Sequence, residues 1–350
     1  PVTISVDALK EIDKEFNPEN CVVVDGDFIL DWRVIPHQVD DWDFGPDKTL
    51  SFMADLRGKT TRYFIFYADG EATHDFPIRT NAVLDNPAYV AWESDAGAFR
   101  AYTGQFDFFG KEYHRLLAPE DRLVFPLEGV NYHAQQDWGM DALHVGETSG
   151  LGGLTLYTDG QTLPVQSPAG NGTVGFEYKV LGSGPVRAAV EMVATNVIPE
   201  SPEKAVLIRG FIYAGREESE IQVRLPEGLN DPELGIGLQH VGESFHGAGY
   251  MGTWGKQGDD IGEIGMAVII DQATHGNKPL ELGHEQKLKT GVHARYADPG
   301  APGYHLRYWI VGAWQRGMQY PVAPTAEDWQ HTVENKVEDL TVDVKVDLGK

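Results

Sequence analysis

Val186-Arg187-Ala188-Ala189-Val190-Glu191-Met192 decides the fold class of this chain. Val186, Ala188, Val190 and Met192 fall at every second position, with Arg187, Ala189 and Glu191 between them. A strand turns successive side chains to opposite sides, so a period of two sorts apolar residues to one face and polar residues to the other. Ile221, Val223 and Leu225 repeat the pattern against Glu220, Gln222 and Arg224. So do Leu340, Val342, Val344, Val346 and Leu348 against Thr341, Asp343, Lys345 and Asp347. These runs predict strands with one side in a core and one side in water, the last of them, Leu340–Leu348, integral to the sheet. Tyr304, Leu306, Tyr308 and Ile310 alternate with His305, Arg307 and Trp309, and that second face, turned to a cleft, would make a sugar platform.

Forty glycines and 20 prolines punctuate the runs, as the turns of antiparallel strands require. Helix signals are few; Thr325 can cap a short segment through Trp329 and Val333, with Asp328 near the positive end of its dipole. Asp298-Pro299-Gly300-Ala301-Pro302-Gly303 reads as a tight loop between strands rather than a linker. No repeat of about 20–50 residues is present. The reading is all-β: one large antiparallel β-sandwich over residues 1–350.

The 28 basic and 53 acidic residues leave a formal charge of −25, which argues against nucleic acid or an anionic membrane surface as the main partner. A few arginines in a pocket can still outweigh that field locally and hold an anionic sugar. Cys21 is the one cysteine, so neither an intrachain disulfide nor a multi-cysteine zinc site can form. No apolar run approaches the roughly 20 residues that span a bilayer, so membrane insertion is not expected. The chain starts at Pro1, which points to a removed leader and a periplasmic or secreted protein, although no signal peptide stands in the sequence itself.

The densest chemistry lies in Asn131-Tyr132-His133-Ala134-Gln135-Gln136-Asp137-Trp138-Gly139-Met140-Asp141, followed by turns at Gly146 and Gly150-Leu151-Gly152-Gly153. Tyrosine and histidine can exchange protons near neutral pH, and Trp138 could offer a flat face to a ring. Tyr132 and His133 would point to opposite faces of a regular strand, so they share a site only if the segment bends, which Gly129 and Gly139 allow. Asp141 could then hold an imidazole in its working tautomer. The bland alternative has His133 satisfying backbone groups near Gly146.

His240, His246 and His305 also stand among glycines, aromatics or polar groups; for His240 the alternative is a hydrogen-bonded, half-buried histidine. In Trp92-Glu93-Ser94-Asp95-Ala96-Gly97-Ala98-Phe99-Arg100-Ala101-Tyr102 an extended backbone puts Arg100 and Tyr102 on one face. An arginine fork there could grip a carboxylate by two parallel hydrogen bonds, or form a structural pair with an acid. Asp40-Asp41-Trp42-Asp43-Phe44-Gly45-Pro46-Asp47 reads as an acidic hairpin turn or a calcium loop, without the closing glutamate of the helix-loop-helix type. There is no nucleotide-binding glycine loop, no GxSxG and no HExxH.

These residues resemble the family described as domain of unknown function 4861, over nearly the whole chain. The resemblance runs through Ile35-Pro36-His37-Gln38-Val39-Asp40-Asp41, Leu50-Ser51-Phe52-Met53-Ala54-Asp55-Leu56, and Trp92-Glu93-Ser94-Asp95 with Arg100 and Tyr102. It continues through Asp107, Gly110, Tyr132-His133, Gly139, Asp141, Val145-Gly146, Gly150, Gly152-Gly153 and Gly184-Pro185-Val186-Arg187, to Trp314, Gly317 and Glu327-Asp328-Trp329. Trp42, Phe44 and Pro46 interrupt the family's Asp-x-Asp-Gly-Asp-Gly hairpin. The resemblance implies a sandwich similar to galactose mutarotase and many polysaccharide lyases. It also implies action on acidic polysaccharides, since the family includes an ulvan oligosaccharide dehydratase.

Such a dehydratase removes the C5 proton and the 4-hydroxyl of a non-reducing-end uronic acid, leaving a 4,5-unsaturated sugar. It needs the carboxylate neutralised, a base near C5 and an acid at the leaving oxygen. The candidates are His133, Tyr132, His240, Arg100 and Asp141 for catalysis, with Trp92, Glu93, Arg187, Arg209, Trp138, His305, Arg307 and Trp309 for binding. At least one of Arg100 and Arg187 should line the cleft. This chemistry requires no cofactor; a divalent metal and the oligomeric state stay open. A lyase, an epimerase or mutarotase, and a noncatalytic sugar-binding module remain the alternatives.

Overall fold

The computed structural model describes residues 1–26, 33–45, 47–56, 61–72, 74–86, 88–117, 131–167, 173–230, 232–270, 281–283, 287–290, 306–317, 325–342 and 344–349. Its largest sheet orders eight strands as Gly175–Gly182, Arg187–Thr195, Val206–Tyr213, Ser219–Arg224, Leu306–Trp314, Gly262–Ile270, Tyr250–Gly258 and Glu243–Gly247. Facing it are two five-stranded sheets. One runs Gly139–Asp141, Gln105–Lys111, Ala98–Tyr102, Tyr89–Ser94, Thr80–Asn86; the other runs Gln161–Pro164, Leu151–Thr158, Glu233–Leu238, Lys287–Thr290, Glu281–Gly283. A bridge between Phe106 and Gly150 joins the two edges. The approach there is close: a Cβ on Gly150, whose φ is +60°, would lie 2.4 Å from the Phe106 carbonyl oxygen. Among the described strands every pairing is antiparallel, which gives the expected all-β sandwich.

Ala188, Val190 and Met192 do face the core, where they meet Trp92, Phe99, Phe106, Phe108, Leu154 and Ile236 from the opposite layer, and Val186 is buried just before the strand. The alternate face is not wet. The N-terminal segment covers one half of it, with Asp40, Asp43 and Thr49 enclosing Arg187 while Trp42 and Met53 pack on Ala189 and Phe211. Two three-stranded sheets of the N-terminal region, Val2–Ser5/Thr49–Phe52/His37–Asp40 and Arg33–Ile35/Cys21–Asp25/Tyr63–Tyr67, carry their own small core.

A helix, Ala326–Leu340, covers the other half. Trp329, Val333, Val337 and Leu340 recur at helical spacing and dock on Tyr250, Trp254, Ile269, Trp309 and Val311. Thr325 caps it as expected, its Oγ1 accepting from the Asp328 N–H at 3.1 Å. The helix runs further than the sequence suggested and takes Leu340 with it. The segment Leu340–Leu348 is therefore not a strand: Val342, Val344 and Val346 are exposed, and Leu348 packs against the N-terminal core. Period two alone does not make a strand, because a strand also needs a neighbour to exchange backbone hydrogen bonds with. Thr325→Ala should cost about 1 kcal/mol, read as a shift in the urea midpoint at unchanged slope.

Candidate active site

The site lies on the outer face of the five-stranded sheet, away from the main core. Ala98–Tyr102 and Gln105–Lys111 are joined by the two-residue turn Thr103-Gly104, with φ of 49° and 79°. Positive φ at both positions matches the twist of the flanking strands, so the turn sets the register. Tyr102 stands opposite Gln105, and Arg100 opposite Asp107. Asp141 closes the next strand, opposite Phe109. Phe99, Ala101, Phe106, Phe108 and Met140 point into the core. Arg100, Tyr102, Asp107, Phe109 and Asp141 therefore leave from the other face.

Over this face lies the turn Asn131–Ala134, closed by the Ala134 N–H donating to the Asn131 carbonyl at 3.0 Å. The Asp141 N–H ties it down by donating to the Tyr132 carbonyl at 2.9 Å. The bend brings the adjacent Tyr132 and His133 rings together, with centroids 4.2 Å apart. Gly139 makes it feasible: at φ +131° a Cβ would lie 1.8 Å from the Gly110 carbonyl oxygen, so no other residue fits. The result is an open cleft of about 520 Å³ lined by Arg100, Tyr102, His133, Asp141, Leu143, His144, Val145 and Gly146.

Arg100 is the electrostatic centre. Its Nε donates to Asp107 Oδ2 at 3.0 Å, and its Nη2 donates both to that oxygen and to Asp141 Oδ2, the latter at 3.0 Å. The guanidinium carbon also lies 5.2–5.3 Å from the centroids of the Tyr102, Phe109 and Tyr132 rings. Burial opposes its charge, but Asp107 and Asp141 outweigh burial and hold its pKa above the usual value. Burial pushes Asp107 up to about 7 against the pull of Arg100, with Asp141 adding to the rise. Asp141 is pushed up to about 6, again by burial against Arg100. Asp107 Oδ1 is buried and accepts no hydrogen bond from a described residue. Burial, then the carboxylate of Asp107, keeps the Tyr102 phenol well above its usual range and hence protonated.

His133 Nδ1 stands 3.4 Å from Asp141 Oδ2, and its side chain is 49% exposed. That distance orients the ring rather than locking it. The carboxylate favours a hydrogen on Nδ1 and leaves Nε2 as the acceptor. Burial, His144 and Arg100 lower the His133 pKa. The ring is thus neutral, and able to accept a proton, at neutral pH. His144 packs edge-on against it at 5.3 Å.

The raised carboxylates have a cost. A carboxyl group whose folded pKa lies above its unfolded value binds more protons folded than unfolded between the two, so stability falls as pH rises through that window. For Asp107 the window runs from its ordinary 3.8 to about 7. Asp107→Asn should therefore flatten the decline in stability between pH 5 and pH 8, measured by urea titration. A variant with the same slope as the parent would show that Asp107 does not titrate there.

The remaining candidates lie elsewhere. Trp92 is buried in the main core, its Nε1 donating to Ser219 Oγ at 2.7 Å, so neither ring face is open to a sugar. Glu93 is buried with Lys111 at 2.6 Å and accepts from the Leu117 N–H. Trp138 is buried behind the cleft against Phe109, Leu117 and Tyr132. Arg187 is fully buried beneath Asp40 and Asp43 on the far face of the eight-stranded sheet. On the same face Arg209 pairs with Glu191 at 2.7 Å and lies over the Phe44 ring. Trp309 is not a platform: the helix buries it, and Arg307 lies over its ring. His305 and Gly129 fall outside the described residues. His240 is exposed just past the strand Glu233–Leu238 and does not line the cleft.

Asp107 and His144 were missed. For Asp107 the signal existed, since counting back from a two-residue Thr-Gly turn puts it opposite Arg100. His144 sits in a loop with no period to mark it. Among the described residues no three His, Cys, Asp or Glu side chains converge to hold a metal ion. In the acidic loop, Asp40 and Asp43 are engaged by Arg187.

A family model described as Domain of unknown function (DUF4861) matches residues 1–346. No curated protein matches the chain. Among solved structures it is similar to an alpha-mannosidase from Enterococcus faecalis V583, at 8% identity and TM-score 0.42, over 95% of this chain and 42% of that one. A glycosyl hydrolase family 38 protein from Enterococcus faecalis matches at 10% identity and TM-score 0.40, over 95% and 44%. A putative kojibiose phosphorylase from human microbiome matches at 8% identity and TM-score 0.29, over 76% and 37%. The chain spans less than half the length of each of these proteins.

Proposed function

The chain belongs to the family described as domain of unknown function 4861, and on that premise we propose that it is a carbohydrate-active carbon–oxygen lyase. The reaction is dehydration of the non-reducing-end uronic acid of an acidic, ulvan-type oligosaccharide. The observation that carries this reading is His133 held 3.4 Å from Asp141 on the wall of a cleft that also presents Arg100 and Tyr102. A neutral base, a protonated phenol and a guanidinium are what elimination beside a carboxylate demands.

In the proposed step His133 Nε2 takes the C5 proton, and the C5–H pair becomes the C4=C5 double bond. The C4–O bond breaks, and Tyr102 protonates the departing hydroxyl so that it leaves as water. Tyr102 takes this part rather than Tyr132 because it lines the cleft, while Tyr132 packs against Arg100 and Trp138. Asp141 orients the imidazole. Arg100 Nη1, which carries no hydrogen bond to a described residue, is left for the substrate acid.

Incubation with saturated uronic-acid oligosaccharides tests the reading. A mass loss of one water with rising ultraviolet absorbance supports dehydration. A shorter oligosaccharide plus an unsaturated fragment means lyase action, and an isomer with no absorbance means epimerisation. Because the His133 pKa is lowered, the acid limb of kcat/KM should fall below about 6.5, the ordinary histidine value. Activity rises with pH through that limb, as a base must lose its proton to work. A limb centred above 7 would remove His133 as the base.

A further inference from the structure

We propose that the cleft takes its uronate together with one proton, held by the Asp107–Asp141 carboxylate pair, so that the substrate acid meets a neutral cluster. The inference rests on the uronate reading and adds the charge of the bound state to it. One guanidinium faces two carboxylates, so the ionised cluster carries +1 − 2 = −1. A substrate carboxylate would bring it to −2 around an Arg100 whose Nε and Nη2 are already engaged. Asp107 Oδ1 is buried with no donor among the described residues, a setting that penalises the charged carboxylate far more than the acid.

Among the described residues the titratable groups facing the pair are Arg100 and Tyr102 from the strand Ala98–Tyr102, Tyr132 and His133 from the overlying turn, and His144 from the loop after Asp141. The phenol of Tyr102 stays neutral and the two histidines lie at the solvent edge, which leaves the buried acids as the site for the proton. With Asp107 already pushed up to about 7 and Asp141 to about 6, one more negative charge nearby raises both. At pH 8 the free pair is ionised, and binding draws a proton from solvent. Nothing in the elimination consumes that proton, which returns to solvent when the product leaves.

The test is calorimetric titration of the wild-type protein with glucuronate at pH 8, in two buffers of different ionisation enthalpy, with glucose as the uncharged control. The expected result is uptake of about one proton per glucuronate, none for glucose, and a Kd for glucuronate that rises about tenfold from pH 8 to pH 9. Asp107→Asn fixes the cluster near zero charge, so its uptake should fall towards zero and it should bind glucuronate more tightly than wild type at pH 9. Uptake near zero in wild type, or full uptake in folded Asp107→Asn, overturns the proposal; if that variant does not fold, the wild-type titration alone decides. A failure of the uronate reading looks different. Glucuronate then gives no binding heat and oligosaccharides lose no water, and the proposal falls with it.

Discussion

His133→Ala is expected to lower turnover on a uronic-acid oligosaccharide by at least about a hundredfold, with melting behaviour nearly unchanged. The two halves of that expectation come from different observations. Proton transfer by a positioned side chain supplies this much of a rate, and His133 is the half-exposed imidazole that Asp141 orients over the cleft. Among the described residues its ring makes no approach to a polar partner shorter than the 3.4 Å to Asp141, and it is exposed rather than in a core. Removing it therefore costs little stability. A folded His133→Ala protein with wild-type turnover would remove this residue from the mechanism and leave His144, at 5.3 Å, as the next imidazole to test.

Arg100→Ala is expected to be damaging in the opposite way, costing about 3–5 kcal/mol of stability as well as activity. The guanidinium is buried between two buried carboxylates, and its loss leaves both without their counter-charge. Arg100→Lys keeps the charge but not the fork. A single ammonium cannot reproduce the Nε and Nη2 bonds to Asp107 and Asp141 while leaving a third nitrogen for substrate. We expect partial rescue of stability, read in urea unfolding, with KM for the uronide still raised. Arg100→Lys with wild-type stability and KM would mean that the clamp is not here. Arg187→Lys is the matched control: it also loses a fork, but on the far side of the sandwich, so it should weaken the fold and leave KM alone.

The two arginines show why some of the site was legible and some was not. Each sits in a strand, and each has the residue type that grips a carboxylate. Sequence alone does not say which face of a sheet ends under another layer. Arg187 lies under the N-terminal acidic loop and Arg100 under a turn that leaves one side open. Tyr132, His133, Asp141 and Arg100 could be singled out because they crowd into two short segments whose glycines mark bends. Asp107 required a register count across a hairpin. His144 came in through a loop path that no periodicity encodes.

What the sequence by itself determined is the local order: where strands alternate, where Thr325 begins a helix, and which eleven residues hold the densest polar chemistry. Those follow from backbone geometry and near-neighbour preferences, which act over a few residues. Only the tertiary structure decided the rest. It placed Trp92 and Trp309 in cores, turned the alternating valines after Leu340 out to solvent, and set Asp107 beneath Arg100. Burial and charge pairing depend on what packs from distant parts of the chain. A side chain's protonation, accessibility and partner are therefore properties of the assembled layers rather than of the segment that carries it.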